Sequence, residues 1–157
     1  MKITLLMVGK TTHDGLQKLI LEYQQRLAHY ITYDTLVVPE LKNIKNLSIA
    51  EQKEKEADLI LKQLDHSDEV IVLDENGKMV SSVEFSKFLE NKMLNSVKRI
   101  VFVIGGPFGF SPRVYNRANQ QLSLSAMTFS HQMIRLLFTE QLYRAMTILK
   151  GENYHHQ

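Results

Sequence analysis

Short apolar runs alternate with amphipathic patterns along the whole chain. Four runs predict strands: ITLLMV (3–8), YDTLVV (33–38), EVIVL (69–73) and RIVFVI (99–104). Between these runs, apolar residues recur at three- and four-residue spacing, which predicts helices with one apolar face. Strands that alternate with helices indicate a parallel sheet covered by helices on both sides. The predicted fold class is therefore α/β, with a parallel sheet flanked by helices.

Capping residues mark where several of these helices begin. Two serine–glutamate pairs have capping-box spacing, Ser48–Glu51 and Ser81–Glu84. Ser111 followed by Pro112 has the form of an N-cap with proline at the first helical position. The segment PRVYNRANQ is therefore expected to form a short helix.

The segments after the third and fourth strands give three further predictions. DENGK (74–78) predicts a turn that ends the third strand, and LSLSAM (122–127) is long enough only for a short fifth strand. A helical stripe then runs from Ser130 to Gly151, a helix of ~20 residues or about 30 Å. Its apolar face is wide enough for core packing, and a dimer interface is the alternative.

Length and composition fit one globular domain spanning residues 1–157. Hydrophobic residues make up 44% of the chain and charged residues 23%, as in ordinary folded proteins. There is no cysteine, which excludes disulfides, thiolate zinc sites and a cysteine nucleophile. The apolar run in MKITLLMVGK is too short for a signal peptide or a membrane span. We expect a soluble, cytoplasmic protein with no membrane association.

Charge is unevenly distributed, although the net charge is only +2. Residues 1–97 carry 12 basic and 15 acidic side chains, whereas residues 98–157 carry 7 basic and 2 acidic ones. A basic C-terminal third points weakly to nucleic acid or a phosphorylated ligand. Chance on a short chain is the alternative.

Two glycine-containing segments resemble parts of nucleotide-binding motifs. VGKTT (8–12) lacks the first glycine of a phosphate-binding loop, because Thr4 occupies that position. GGPFG (105–109) lacks the G-x-G-x-x-G spacing of dinucleotide folds. Glycines at the end of a parallel strand either let a ligand touch the backbone or form a tight turn. No metal-ligand or hydrolase motif is present in the sequence.

Several segments together resemble one family. They are VFVIGGPFGFSP, LSLSAMTFSHQMIRLLFTEQLYRA and the ending GENYHH, with MKITLLMVGK and VIVLDENGKMVSS in support. In order, spacing and total length they are similar to the ribosomal RNA large subunit methyltransferase H family of the SPOUT superfamily. The resemblance covers the whole chain.

This resemblance implies a C-terminal deep trefoil knot, whose loops surround a pocket for S-adenosylmethionine. Knots are rare exceptions to the usual rules of chain connection. The cofactor-binding residues that the resemblance implies are Leu73, Gly105, Gly106, Leu124, Ser125, Ala126, Met127, Thr128 and Phe129. For the leucines and Met127, core packing is the alternative interpretation.

The resemblance also implies the reaction. The family transfers a methyl group to N3 of a pseudouridine in large-subunit (23S) ribosomal RNA, on the assembled ribosome and as a homodimer, without a metal. The candidates for substrate handling or proton transfer are Tyr154 and His155 in the tail, and His131 and Arg135 near the start of the last helix. A frayed tail and simple solvation of Arg135 are the alternatives. We expect the short polar tail to be mobile without RNA.

Two other functions remain open from the residues alone. One is a catalytically idle nucleotide- or RNA-binding α/β module. The other is a flavodoxin-like binding domain, for which the sequence offers no phosphate loop.

Overall fold

A computed structural model describes residues 1–156 and contains one sheet of five parallel strands. The strands are β1 (Lys2–Val8), β2 (Thr32–Val38), β3 (Glu69–Met79), β4 (Arg99–Ile104) and β5 (Gln120–Ser123). Their order across the sheet is β2-β1-β4-β3-β5, and every neighbouring pair is parallel. The predicted α/β class with a parallel sheet is confirmed.

Helices cover both faces of the sheet. They are α1 (Asp14–Leu27), α2 (Ile49–Leu61), α3 (Ser82–Leu94), α4 (Pro112–Arg117) and α5 (Met133–Lys150). Helix α5 packs against both α1 and α3, while α2 contacts α4. Two buried apolar clusters result, because consecutive strand residues such as Leu5 and Leu6 point to opposite faces. The apolar stripe of α5 supplies one of these cores, so core packing accounts for most of it.

The predicted caps are present. Ser48 with Glu51 and Ser81 with Glu84 each form a complete capping box, and Ser111 accepts a hydrogen bond from the Arg113 amide. The Ser130 hydroxyl accepts from the Met133 amide at 3.2 Å, although α5 begins three residues after the predicted start. The starts of α2, α3 and α4 were therefore predicted correctly from their capping residues.

The prediction of a turn at the end of the third strand is wrong, whereas the short fifth strand is confirmed with shifted bounds, Gln120–Ser123. DENGK does not end β3 as a turn, because β3 continues to Met79 and changes its pairing register with β5 between Leu73 and Lys78. A β-carbon on Gly77 would lie 2.7 Å from the Leu122 backbone, so only glycine permits this close approach. In LSLSAM, only Leu122 and Ser123 belong to a strand.

The last four residues of LSLSAM belong to a loop, residues 124–131, which leads to α5. Short local hydrogen bonds turn the chain out of the sheet: the Ser123 hydroxyl donates to the Ser125 carbonyl, and the Met127 amide donates to the Ser125 hydroxyl. We call residues 124–131 the 124–131 loop. Within residues 1–156, no helix combines the length and apolar character needed to cross a membrane.

Candidate cofactor site

A cavity of about 600 Å³ lies where β4 and β5 end, beside Leu73 to Asn76 in the middle of β3. In parallel α/β sheets, this edge is the usual place for a ligand. The 124–131 loop and the glycine turn after β4 form its walls. The predicted cofactor residues that line it are Leu73, Gly105, Gly106, Leu124, Ser125, Met127, Thr128 and Phe129. Ala126 is exposed and does not line the cavity.

The floor of the cavity is apolar. It is formed by Ile104 and Leu122 at the strand ends, Phe110 after the glycine turn and Ile134 in the first turn of α5. The Phe110 ring is buried and packs edge-on against Tyr115, with ring centres 5.6 Å apart. A flat, apolar group of a ligand therefore has a matching surface here.

Polar groups that sequence reasoning missed lie around this floor. Tyr115 donates a hydrogen bond to Asp74 at 2.5 Å, and Thr128 donates to Glu75 at 2.6 Å. Burial, followed by the Asp74 carboxylate, raises the pKa of Tyr115 to about 12. Lys53 of α2 also reaches the cavity. Asp74 and Glu75 belong to DENGK, which was predicted to form a turn, so their role in the cavity wall was not predicted from the sequence.

His131 lines the cavity, as expected from its position before α5. The next residue, Gln132, holds the loop after β1: its amide nitrogen donates to the Lys10 carbonyl at 3.1 Å, and its oxygen accepts from the Thr12 amide at 3.0 Å. These two hydrogen bonds attach the VGKTT segment to the residue that follows the 124–131 loop.

Arg135 lies elsewhere than predicted. Its side chain is fully buried, is not among the cavity-lining residues, and donates to the Val8 carbonyl at 2.7 Å and to the Thr11 hydroxyl at 3.0 Å. Burial lowers the pKa of its guanidinium, against the attraction of Glu40. The expectation that Arg135 faces the pocket is wrong, because it fastens α5 to the end of β1.

We expect Arg135→Ala to lower the free energy of unfolding by ~2–4 kcal/mol, since it removes a large buried side chain and leaves buried oxygens without donors. Urea denaturation measures this change. Arg113→Ala is the matched control, because its half-exposed guanidinium forms solvent-screened ion pairs whose loss should change stability much less. Equal stability of Arg135→Ala and the wild type would contradict the assignment.

The C-terminal tail is packed against α1 and α5. The Tyr154 hydroxyl donates to Glu140 at 3.0 Å and lies 3.3 Å from the Tyr23 hydroxyl, and its ring packs against Tyr143. Arg144 lies over the Tyr154 ring. Tyr154 and His155 therefore have contact partners on α1 and α5 in the absence of RNA. The expected mobility of the tail stays a prediction, and Gln157 lies outside the described residues.

Neither Tyr154 nor His155 lines the cavity of its own chain. His155 lies beside Arg144, with Nδ1 at 3.4 Å from the guanidinium. Burial, together with hydrogen bonds to Tyr23 and Glu140, raises the pKa of Tyr154 well above its usual value. Tyr154 is therefore a phenol at neutral pH and can donate a hydrogen bond, but it is no base.

Acidic residues of the N-terminal part pair with the basic C-terminal third. Arg113 forms ion pairs with Glu54 and Asp58 of α2 at 3.3 and 2.8 Å. Arg117 donates to the backbone carbonyls of Asp65 and Asp68. The ion pairs of Arg113 thus offset part of the charge asymmetry of the sequence.

A parallel α/β fold with a crevice at the carboxyl end of its sheet, lined by apolar and polar side chains, is typical of cofactor-binding proteins. Residues 1–155 match the family described as "Predicted SPOUT methyltransferase". Proteins named "Ribosomal RNA large subunit methyltransferase H" from Flavobacterium johnsoniae and Parabacteroides distasonis are each 56% identical to this chain over 157 residues, covering all of both chains. The chain belongs to the ribosomal RNA large subunit methyltransferase H family of SPOUT methyltransferases.

A solved structure supports the fold. A probable methylase family protein from Haemophilus influenzae Rd KW20 matches 99% of this chain and 70% of its own length, with a TM-score of 0.52. Its sequence is 17% identical, so the likeness concerns the architecture alone.

Proposed function

We propose that this protein uses S-adenosylmethionine to methylate N3 of a pseudouridine in large-subunit (23S) ribosomal RNA on the assembled ribosome. Membership of the family supports methyl transfer, and the names of the relatives support the ribosomal RNA. The observation that carries the proposal is the cavity between the glycine turn and the 124–131 loop, with apolar side chains on its floor and polar ones around it. Cytoplasmic location and a knotted C-terminal segment are part of the same proposal.

The cavity residues fit S-adenosylmethionine. The volume of about 600 Å³ falls within the range of small-molecule sites, and the floor suits an adenine ring. Asp74 and Glu75 place negative charge beside the cavity, which suits a cationic ligand. Leu73, Leu124 and the glycine turn would hold the cofactor, which when bound supplies an electrophilic methyl group on sulfur. No metal is required for this chemistry.

The chain's own residues have two tasks in this reaction. They align the nucleophilic nitrogen with the methyl group, and they handle the proton that the nitrogen loses. His131 lines the cavity and is one candidate for proton handling. Tyr154 and His155 lie outside the cavity of their own chain, so we assign them to the cavity of a second subunit. There Tyr154 would donate a hydrogen bond to the base.

A second copy would also cover apolar side chains at the cavity mouth. Phe108, Met127 and Phe129 line the cavity and yet are 47%, 74% and 40% exposed. Met133, just beyond the 124–131 loop, is 38% exposed. Several exposed apolar side chains around one opening mark an interaction surface.

We expect a homodimer with a mass near twice 18.2 kDa in sedimentation equilibrium at micromolar concentration. Met127→Glu and Phe129→Glu together should shift this equilibrium toward the monomer, because each places a charge in the proposed apolar interface. Leu94→Glu is a matched control at a 75% exposed leucine on α3. A monomer that methylates ribosomes would contradict the shared site.

Calorimetric titration with S-adenosylmethionine separates the proposal from an idle nucleotide- or RNA-binding module. We expect one cofactor per chain, with heat that disappears in variants of the cavity. No binding of S-adenosylmethionine, with binding of a nucleotide instead, would favour the module.

A further inference from the structure

The carboxylate of Glu140 joins the C-terminal tail to helix α5. Its Oε1 atom accepts three hydrogen bonds, one from the Tyr154 hydroxyl at 3.0 Å and two from Nε and Nη2 of Arg144 at 3.1 and 2.6 Å. Its Oε2 atom accepts from the side-chain amide of Gln141 at 2.8 Å. The Glu140 side chain is only 18% exposed and does not line the cavity. Glu140 therefore holds the tail at a point outside the cofactor site.

Arg144 adds a second contact between α5 and the tail. Its guanidinium lies over the Tyr154 ring, 4.7 Å from the ring centre, and its Nη1 atom lies 3.4 Å from Nδ1 of His155. A cation over an aromatic face is attracted by the ring. Because Glu140 accepts from two nitrogens of this guanidinium, the carboxylate also fixes the cation against the ring.

The hydrogen bond to Glu140 determines the role of the Tyr154 hydroxyl in the absence of RNA. A phenol has one proton, and Glu140 accepts that of Tyr154. The Tyr23 hydroxyl, 3.3 Å away, then donates to the Tyr154 oxygen. A base that accepts a hydrogen bond from Tyr154 would replace Glu140 as the acceptor, so the contact with Glu140 belongs to the state before RNA binds.

We infer that Glu140 is a positioning residue: through Tyr154 and Arg144 it holds the tail against α5 before RNA binds. The inference rests on the proposed function, in which Tyr154 and His155 serve the cavity of a second subunit. A tail that is already held loses less conformational freedom when the ribosome binds, which favours binding. This inference and the expected mobility of the tail exclude each other.

Hydrogen exchange of the free protein tests whether Glu140 holds the tail. The Glu152 and Tyr154 amides donate to backbone carbonyls, and their exchange reports on the tail. Glu140→Met removes the acceptor, and we expect these amides to exchange about tenfold faster, the loss of one charge-assisted hydrogen bond. Glu140→Gln, nearly the same size, keeps an acceptor oxygen and should change exchange less. Equal exchange in Glu140→Met and the wild type would overturn the inference.

The matched control is Glu22→Gln. Glu22 pairs with Arg26 at the same four-residue spacing on α1, and within residues 1–156 its hydrogen bond goes to Arg26 and not to the tail. We expect its exchange and kinetics to stay within about threefold of the wild type. Loss of tail protection in Glu22→Gln equal to that in Glu140→Met would overturn the inference, because any broken ion pair would then have the same effect.

Steady-state kinetics on ribosomes separate positioning from a merely structural role. Glu140→Met should raise KM for ribosomes about tenfold, because fewer molecules have the tail in place, while kcat and the Kd for S-adenosylmethionine stay within about threefold. In the Tyr154→Phe background, the same change should raise KM less than about threefold further, since the hydroxyl through which Glu140 acts is absent. Fully additive effects would overturn the inference. A wild-type protein that does not methylate ribosomes would overturn the proposed function, and hydrogen exchange would still decide whether Glu140 holds the tail.

Discussion

Gly105→Val is expected to weaken S-adenosylmethionine binding by roughly ten- to a hundredfold. A β-carbon at this position would lie 3.0 to 3.2 Å from atoms of the Phe110 ring, and the two further methyl groups of valine require the ring to move. Phe110 forms part of the cavity floor, so the displaced ring would occupy space that the cofactor needs. Overpacking of this kind costs ~1–3 kcal/mol, which corresponds to the stated range of affinity. Calorimetric titration measures the loss.

Two further variants make this result specific. Gly105→Ala adds only the β-carbon, which a small ring shift accommodates, so its effect should be smaller. Phe110→Leu in the Gly105→Val background removes the overlapping ring atoms and should restore part of the affinity. Circular dichroism and urea denaturation show whether each variant is folded. Wild-type affinity in a folded Gly105→Val protein would contradict the placement of the cofactor at this turn.

Tyr154→Phe and His155→Ala are each expected to lower kcat/KM for ribosome methylation. The loss should be at least ~100-fold for His155→Ala, which removes the proposed proton acceptor. S-adenosylmethionine affinity should stay within about threefold of the wild type, because neither residue lines the cavity of its own chain. Substitution of the residue that takes up the proton should also change the pH dependence of methylation. Single-turnover assays on ribosomes that lack the modification measure these effects.

The control for the tail is Tyr30→Phe. Tyr30 donates a hydrogen bond to Glu152 at 2.6 Å, so this variant loses one anchor of the tail but keeps Tyr154 and His155. We expect Tyr30→Phe to retain most of the activity. If Tyr30→Phe loses as much activity as Tyr154→Phe, the position of the tail determines activity, and the Tyr154 hydroxyl does not contact the substrate. If none of the three variants loses activity, the proton leaves through His131 or water.

Features encoded by neighbouring residues were predictable from the sequence. The capping boxes at Ser48 and Ser81 depend on residues three apart, and the apolar strand cores depend on runs of four to six residues. The parallel arrangement followed from the alternation of strands with helices. The cavity walls at Gly105 and Leu124 were found through whole-chain resemblance, because their local sequence fits a turn or core packing equally well.

Features that depend on distant partners were missed or misjudged. Arg135 has the sequence position of a surface residue near a helix start, but its partners Val8 and Thr11 lie more than 120 positions away. The DENGK segment contains typical turn residues, yet pairing with β5 keeps it in the sheet. Tyr154 contacts Tyr23 of α1 and Glu140 of α5, and these contacts could not be predicted from the six residues of the tail alone.

Glu56 illustrates the same limit beside the candidate site. It lies in the middle of α2, among other charged residues, and nothing in its neighbourhood distinguishes it from Glu54. Only the packing of α2 against the turn after β4 brings its carboxylate to Gly106. This proximity therefore could not be predicted from the sequence.

The most direct test of the account is methylation of ribosomes isolated from a strain in which the gene is deleted. The purified protein is incubated with these ribosomes and S-adenosylmethionine that carries a labelled methyl group, and the nucleosides of the 23S RNA are analysed by mass spectrometry. We predict one labelled nucleoside, a pseudouridine methylated at N3, and much less of it with the folded Gly105→Val protein at a cofactor concentration that does not saturate this variant. Unlabelled 23S RNA, or label on another nucleoside, would contradict the proposed function.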